Sequence, residues 1–303
     1  VKEYTGAWED HTLLEVFQEL GITQVHAPCG GNGTCKKCLV TVEGLGEVLS
    51  CQTQCKDGMC VTVAEEQKSA IAENGNCYLY PADAGEGLLA ACDIGTTTVV
   101  CHLLDGATGV RLCTVSAPNA QRSFGADVIS RIQASVDSGL DKLQSAIVDQ
   151  INGMLVQLKQ KAGRTEDIRR LAVAGNTVMS HLFCGLSPES IGVAPFTPLS
   201  LFGESYDAKQ IGIEGCETVY VVPSIAGYVG GDIVADLAAV QMHSSVLAED
   251  GEKETLMLDI GTNGEMVLGK SGSYVCCATA AGPAFEGAKI ECGMRGAAGA
   301  VDH

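Results

Sequence analysis

Apolar and polar positions change period several times along the chain, and each change marks an element. Leu13, Leu14, Val16, Phe17 and Leu20 recur at helical spacing and Gly21 follows as a stop, which predicts a short first helix. The period then drops to two. Leu39-Val40-Thr41-Val42-Glu43, Glu47-Val48-Leu49-Ser50 and Cys60-Val61-Thr62-Val63 read as strands, the last entered through the Asp57-Gly58 turn. From Leu88 to Leu104 an apolar run is broken by Gly95-Thr96-Thr97, and Asp105-Gly106-Ala107-Thr108-Gly109 leads into another run: strand, tight turn, strand, hairpin turn, strand. The same pattern returns at Thr255 to Leu268, broken by Gly261-Thr262-Asn263 and followed by Gly269-Lys270-Ser271-Gly272 and a third run.

Between the two hairpins the period is helical. Ala126 to Ile132, then Leu140, Leu143, Ile147, Ile151, Met154, Leu155 and Leu158 at spacings of three and four, mark amphipathic helices that turn a stripe to a core. Ile168 to Ala174 reads as a strand running into Gly175-Asn176-Thr177, Thr177 to Cys184 as a short helix closed by Gly185, and Val219 to Val222 as a strand. Gly230-Gly231-Asp232 opens a helix to about Met242. These elements divide the chain into a small β-rich module over 1–66, a connector over 67–87 that holds Pro81, Gly85 and Gly87, and a larger α/β part from 88 onward.

Composition narrows the function. With 37 acidic against 19 basic residues, the formal net charge of −18 repels phosphate backbones and anionic lipid, so neither nucleic acid nor membrane is an expected partner. No apolar run is long enough to cross a bilayer, and no targeting segment appears. Fifteen cysteines, among them Cys101, Cys113 and Cys184 in apolar surroundings, fit a reducing compartment, hence the cytoplasm, as of an anaerobe.

Four of those cysteines carry chemistry. Cys29, Cys35 and Cys38 are spaced C-x5-C-x2-C, and Cys51 follows alone. Gly30, Gly31 and Gly33 let the chain wrap tightly around converging thiolates, the general pattern of plant-type [2Fe–2S] ligation with a first gap one residue longer. A structural zinc site would show two C-x2-C pairs where this stretch has one, and a disulfide framework would belong to a secreted chain. Cys55 and Cys60 compete with Cys51 for the fourth position; Cys51 is favoured, because Cys60 opens a strand and Cys55 sits in a lysine-containing turn.

The repeated hairpin points to phosphate. In Asp93-Ile94-Gly95-Thr96-Thr97 and Asp259-Ile260-Gly261-Thr262-Asn263, an Asp at a strand end can hold a hydrated Mg2+, Gly lets backbone approach an anion, and Thr hydroxyls and amides donate to phosphate oxygens. Two such loops facing each other would clamp a nucleotide's phosphates. Gly264 to Ser271 also satisfies G-x-x-x-x-G-K-[ST], but a P-loop joins a strand to a helix, and here the pattern falls on a strand and a hairpin turn. Asp232 is either a helix N-cap or a catalytic acid that positions Mg2+ or water; His102 and His181 sit among apolar residues and read as packed.

With both hairpins placed, the chain resembles the actin-like ATPase superfamily. Phe124-Gly125-Ala126-Asp127-Val128-Ile129-Ser130-Arg131-Ile132, Ala174-Gly175-Asn176-Thr177, Ala194-Pro195-Phe196, Ile225 to Asp232 and Gly282 to Ala288, behind a ferredoxin-like front, are similar to one branch of it, the reductive activators of corrinoid proteins. The resemblance implies a β-grasp [2Fe–2S] domain over 1–66, a linker over 67–87, a first actin-like (ribonuclease H-like) lobe over 88–250 and the start of a second over 251–303. Longer members carry a middle domain after the linker, whereas about two dozen residues separate Val63 from Leu88. Their adenosine motif would follow Gly282 to Asp302, so a fragment with its second lobe cut short at His303 is expected, and Val1 in place of a starting Met points the same way. The implied activity is ATP-dependent transfer of an electron, drawn from an external donor, to the Co(II) form of a corrinoid protein of a methyltransferase system. Cys29, Cys35, Cys38 and Cys51 would hold the cluster, and Asp93, Gly95, Thr96, Thr97, Asp259, Gly261, Thr262 and Asn263 the Mg2+ and phosphates of ATP. Activation of another low-potential enzyme, a ferredoxin fused to a non-hydrolysing nucleotide sensor, and a small-molecule kinase are the alternatives.

Overall fold

The computed structural model describes residues 3–22, 24–25, 27, 31–34, 36–63, 85–243, 254–261, 263–270 and 273–279, with backbone alone at 241–243. Cys29, Cys35, Thr262, most of the 67–87 connector and the Gly282 to Ala288 motif lie outside these residues.

Helix α1 (Leu13–Glu19) starts at Thr12, whose hydroxyl accepts from the Glu15 amide at 3.3 Å while the Glu15 carboxylate accepts from the Thr12 amide at 2.6 Å. Burial opposes the Glu15 charge, yet the two Thr12 hydrogen bonds hold its carboxyl below the ordinary range. Leu13, Leu14 and Phe17 face a three-stranded antiparallel sheet of β1 (Leu39–Val42), β2 (Gly46–Leu49) and β3 (Val61–Thr62), ordered β2-β1-β3. Val40 and Val42 alternate inward from β1, and Cys38 and Cys51 belong to the same core.

The second unit is built on a six-stranded sheet. Strands β4 (Leu88–Ile94), β5 (Thr98–Asp105) and β6 (Arg111–Pro118) form an antiparallel meander, and β7 (Ile168–Gly175) lies parallel on the other side of β4. Helices α2 (Val128–Asp137) and α3 (Leu140–Ala162) connect β6 to β7; Leu143, Ile147, Ile151, Met154, Leu155 and Leu158 of α3 are buried, with α3 packed on β5 and β6. The stripe read from spacing is thus the core stripe. After α4 (Thr177–Phe183) come β8 (Ser205–Asp207), α5 (Ala208–Ile211) and β9 (Cys216–Val221), giving the order β6-β5-β4-β7-β9-β8. Helix α6 (Gly231–His243) leads toward a third sheet of β10 (Thr255–Ile260), β11 (Gly264–Lys270) and β12 (Ser273–Thr279). Ile233 and Leu237 of α6 meet Val267, Met257 and Cys276 on one face of it. The other face leaves Leu256, Leu258, Leu268 and Val275 exposed among the described residues.

Strand β11 is paired on both sides across Gly264 to Gly269, and Lys270 pairs with Ser273 of β12. A loop that wrapped phosphate could not be, so the P-loop pattern there is accidental. His181 is likewise structural: Nδ1 donates to Thr177 O at 2.7 Å and Nε2 accepts from Ser200 N at 3.3 Å, and burial keeps the ring's pKa low.

Close backbone contact fixes where α6 begins. A Cβ on Gly230 would lie 2.4 Å from Asn176 Cα and 2.7 Å from Gly175 O, and one on Gly175 would lie 2.9 Å from Ile94 O. The helix start is thereby seated against the carboxyl ends of β7 and β4, where sheets of this kind place their ligands. Gly230→Ala forces backbone apart at that joint and should cost about 1–3 kcal/mol. A thermal midpoint lowered by several degrees checks this; an unchanged midpoint would mean that α6 slides freely.

Candidate functional site

Two sites take shape, one on each unit. In the first, the chain turns left-handed at Gly31 (φ +87) and Gly33 (φ +73) before Cys38 enters β1, and Cys51 lies on the short turn that follows β2. The two sulfurs are 3.2 Å apart and both side chains are buried. Burial and the neighbouring Cys38 thiol push Cys51 up, while Gln52 and the Gly33 amide, both donating to its sulfur, pull it back down. Gln52 Nε2 also ties Gly31 O at 3.2 Å to Cys51 O at 3.1 Å. Two touching buried thiols served by inward amide donors suit a metal–sulfur group, whose charge would favour the thiolates. Of the two competing cysteines, Cys60 is exposed and lies away from this pair, whereas Cys55 packs against the same core. Cys60 O accepts from Glu43 N, at the far end of β1 from Cys38 and so about 16 Å along the strand. Cys55 pairs through its amide with His11 O at 2.8 Å and packs into the core.

The second site is the cleft between the two Asp-bearing hairpins. Asp93 is the penultimate residue of β4, and Gly95 must be glycine just after the strand because a Cβ would lie 2.6 Å from Thr98 O. The turn's carbonyls are all drawn to one side: Gly95 O accepts from Asn119 Nδ2 at 2.8 Å, Thr96 O from Arg131 Nη2, and Thr97 O from the Asn119 amide at 2.9 Å. A trans peptide holds C=O and N–H antiparallel, so the amides that follow are turned to the opposite side of the loop. Asn176, which N-caps α4, donates to Thr96 Oγ1 at 3.0 Å and joins this loop to β7. In the second hairpin Gly261 N donates to Asn263 O at 2.9 Å, and Asp259 stands opposite Glu265 across β10 and β11. The first module touches the same region: Gln18 Nε2 on α1 donates at 2.9 Å to Ser123 O, in the 3-10 turn that Asn119 caps.

Five carboxylates feel one another across this cleft. Burial and then the charges of Asp232, Asp236 and Asp259 raise Asp93 to about 7, although its side chain remains open to solvent along the cleft. Burial with Asp232, Asp259 and Asp236 raises Glu265 to about 7, and burial with Asp259 and Asp232 raises Asp236 to about 6. Asp232 is also raised, by burial first; it is no N-cap, since Gly231 is already helical, and its Oδ1 accepts from Ile233 N at 2.9 Å in the first turn. Among the described residues no three such side chains close on one bare ion. The set suits a cation that keeps much of its water, as Mg2+ does. Asp236 and Glu265 are the residues that sequence reading missed. The signals were there: Asp232 and Asp236 are four apart on one helix face, and Glu265 faces Asp259 across a short turn.

A pH dependence follows from these shifts. Each raised carboxyl makes the folded state hold more protons than the unfolded one between about pH 4 and 7, so stability falls as pH rises through that window. Without divalent cation the thermal midpoint should be higher at pH 5 than at pH 8, and Mg2+ should restore it at pH 8 more than at pH 5. A midpoint that rises with pH would contradict the cluster.

With one cage of thiols and one cleft of opposed Asp-Gly turns, the chain has the parts of an iron–sulfur protein fused to a nucleotide-type α/β fold. Residues 3–66 match the 2Fe-2S iron-sulfur cluster binding domain, residues 88–245 the RACo middle region, and residues 253–303 the C-terminal domain of RACo, the ASKHA domain. The chain belongs to the RACo family. It is 32% identical to the corrinoid activation enzyme RamQ of Eubacterium limosum, over 100% of this chain and 63% of that protein. It is 28% identical to the [Co(II) methylated amine-specific corrinoid protein] reductase of Methanosarcina barkeri, over 70% of this chain and 39% of that one. A solved structure, the reductive activator for corrinoid,iron-sulfur protein, superposes with TM-score 0.60 at 29% identity, over 96% of this chain and 64% of that chain. The chain therefore spans less than two thirds of the length of each of these relatives. No helix among the described residues is long and apolar enough to cross a membrane.

Proposed function

We propose that the whole protein is an ATP-dependent reductive activator, which returns the Co(II) corrinoid of a methyltransferase partner to Co(I) in the cytoplasm. The observation that carries this reading is the presence in one chain of the touching Cys38 and Cys51 thiols and of a cleft where Asp93 and Asp259 face each other from matching hairpins. Cys29, Cys35, Cys38 and Cys51 would hold the [2Fe–2S] group, which when bound supplies a single low-potential electron replenished by an external donor. Residues 1–66 form a β-grasp domain in this reading, on the strength of α1 packed across β2-β1-β3. A linker over 67–87 joins it to a first actin-like lobe over 88–250, and 251–303 begins the second.

In the cleft, Asp93, Asp232 and Asp259 orient water around Mg2+. Gly95, Thr96 and Thr97 from one hairpin, and Gly261, Thr262 and Asn263 from the other, present amides and hydroxyls to the phosphates of ATP. Driving force is what ATP adds: about 0.7 kcal/mol is needed for every 30 mV that one electron climbs, so one hydrolysis offsets a large gap. Closure of the two hairpins on the phosphates would couple the docked partner to hydrolysis.

The test uses the full-length protein, anaerobically, with Co(II) corrinoid protein and a chemical reductant. Co(I) should accumulate with MgATP and stay near baseline with a non-hydrolysable analogue. Equal rates with and without ATP would sink the reading.

A further inference from the structure

Arg131 of α2 is wholly buried beneath the Gly95 to Thr97 turn. No carboxylate stands within ion-pair distance of it among the described residues. Its guanidinium donates through Nε to Gly125 O at 3.1 Å and through Nη2 to Thr96 O, with Nη1 against Met179 Sδ at 3.1 Å. The acid with the clearest influence on it, Asp127, spends its Oδ1 on capping Ser130 N at 2.8 Å, and Arg122 adds like charge. Burial thus lowers the Arg131 pKa to about 9, which still leaves a cation at neutral pH. A buried cation without an anion is costly, and an apolar side chain of similar volume would fill the site without that cost. Among the described residues no counter-charge stands beside it, but the peptide that Arg131 grips is in the phosphate-type loop.

We propose that Arg131 is a positioning residue for polyphosphate: it locks the Thr96–Thr97 peptide with its carbonyl inward and its amide outward, and the bound phosphates complete its charge across that peptide. The inference rests on the phosphate-binding part of the reading proposed for the cleft. Donation from a charged group to Thr96 O polarises the peptide and strengthens the amide beyond it as a donor. The planar fork matters as well as the charge, since one guanidinium spans Gly125 O and Thr96 O at once, which a lysine ammonium on a flexible stem does not reproduce. Asn119 and Asn176 complete the clasp around Gly95, Thr97 and the Thr96 hydroxyl.

The experiment compares full-length wild type, Arg131→Gln and Arg131→Lys by calorimetry with three probes: MgATP, inorganic tripolyphosphate and adenosine. Arg131→Gln should weaken MgATP and tripolyphosphate by about ten- to a hundredfold, as expected for loss of a charge-assisted hydrogen bond, and leave adenosine within about twofold. Arg131→Lys should fall between. A merely structural role would weaken all three probes together or none, and either result overturns the proposal. Should Arg131→Gln prove unfolded by circular dichroism, Arg131→Lys, which keeps the charge in place, carries the same comparison. Wild type that binds tripolyphosphate but not ATP would refute the nucleotide reading while leaving this one standing; wild type that binds neither refutes both.

Discussion

Cys51→Ser in the full-length protein should lower ATP-driven corrinoid reduction by more than about a hundredfold, the upper end of what a lost outer-shell partner costs a metal site. Cys51 is a buried thiol in contact with Cys38, with the Gly33 amide and Gln52 donating to its sulfur. A serine oxygen is a harder ligand with a shorter reach than sulfur, and would leave that surrounding mismatched. The iron content and the EPR signal of the reduced protein should change, while MgATP affinity should not, because among the described residues the hydrogen bonds of Cys51 stay with Cys38, Gln52 and Gly33. Cys60→Ser is the internal control: Cys60 is exposed and hydrogen-bonded at the opposite end of β1, so its replacement should leave the signal intact. A normal signal in Cys51→Ser together with a lost one in Cys55→Ser would move the fourth ligand to Cys55.

The two hairpins were legible because their chemistry is local. Apolar runs broken at Gly95 and at Gly261 placed β4, β5, β10 and β11 within a residue or two of where they lie. The buried stripe of α3 was legible for the same reason, being written every three or four residues. What escaped was of two kinds. The three-residue strand β8 and one-turn helix α5 are too short to show any period, and are held by pairing with β9 rather than by their own sequence. The other kind is polar residues whose partners are distant in sequence. Arg131 looks like a solvated helix position until Thr96 is folded over it, and Asn119 looks like a loop residue until it caps a 3-10 turn and grips Gly95. Such roles depend on a tertiary contact that spacing does not encode, and they cluster where the chain does something other than pack.

Asp93→Asn separates function from stability by the sign of its two effects. The variant should lose about 10²–10³-fold in MgATP-dependent turnover, the usual scale for removing one preorganised group from the stabilisation of developing charge. In the metal-free protein near pH 8, however, the same change should raise the thermal midpoint. Asp93 there adds negative charge beside Asp232, Asp236 and Asp259, and an amide of the same shape relieves that repulsion without a cavity. The gain should shrink toward pH 5, where the raised carboxyls already carry protons, and should vanish when Mg2+ neutralises the cleft. Lost turnover with a raised midpoint and an unchanged iron–sulfur signal would mean that Asp93 is kept at a cost for its ligand. Lost turnover with a lowered midpoint would make it a support of the β4 end instead, and the cleft's role would then rest on Asp259 and Asp232.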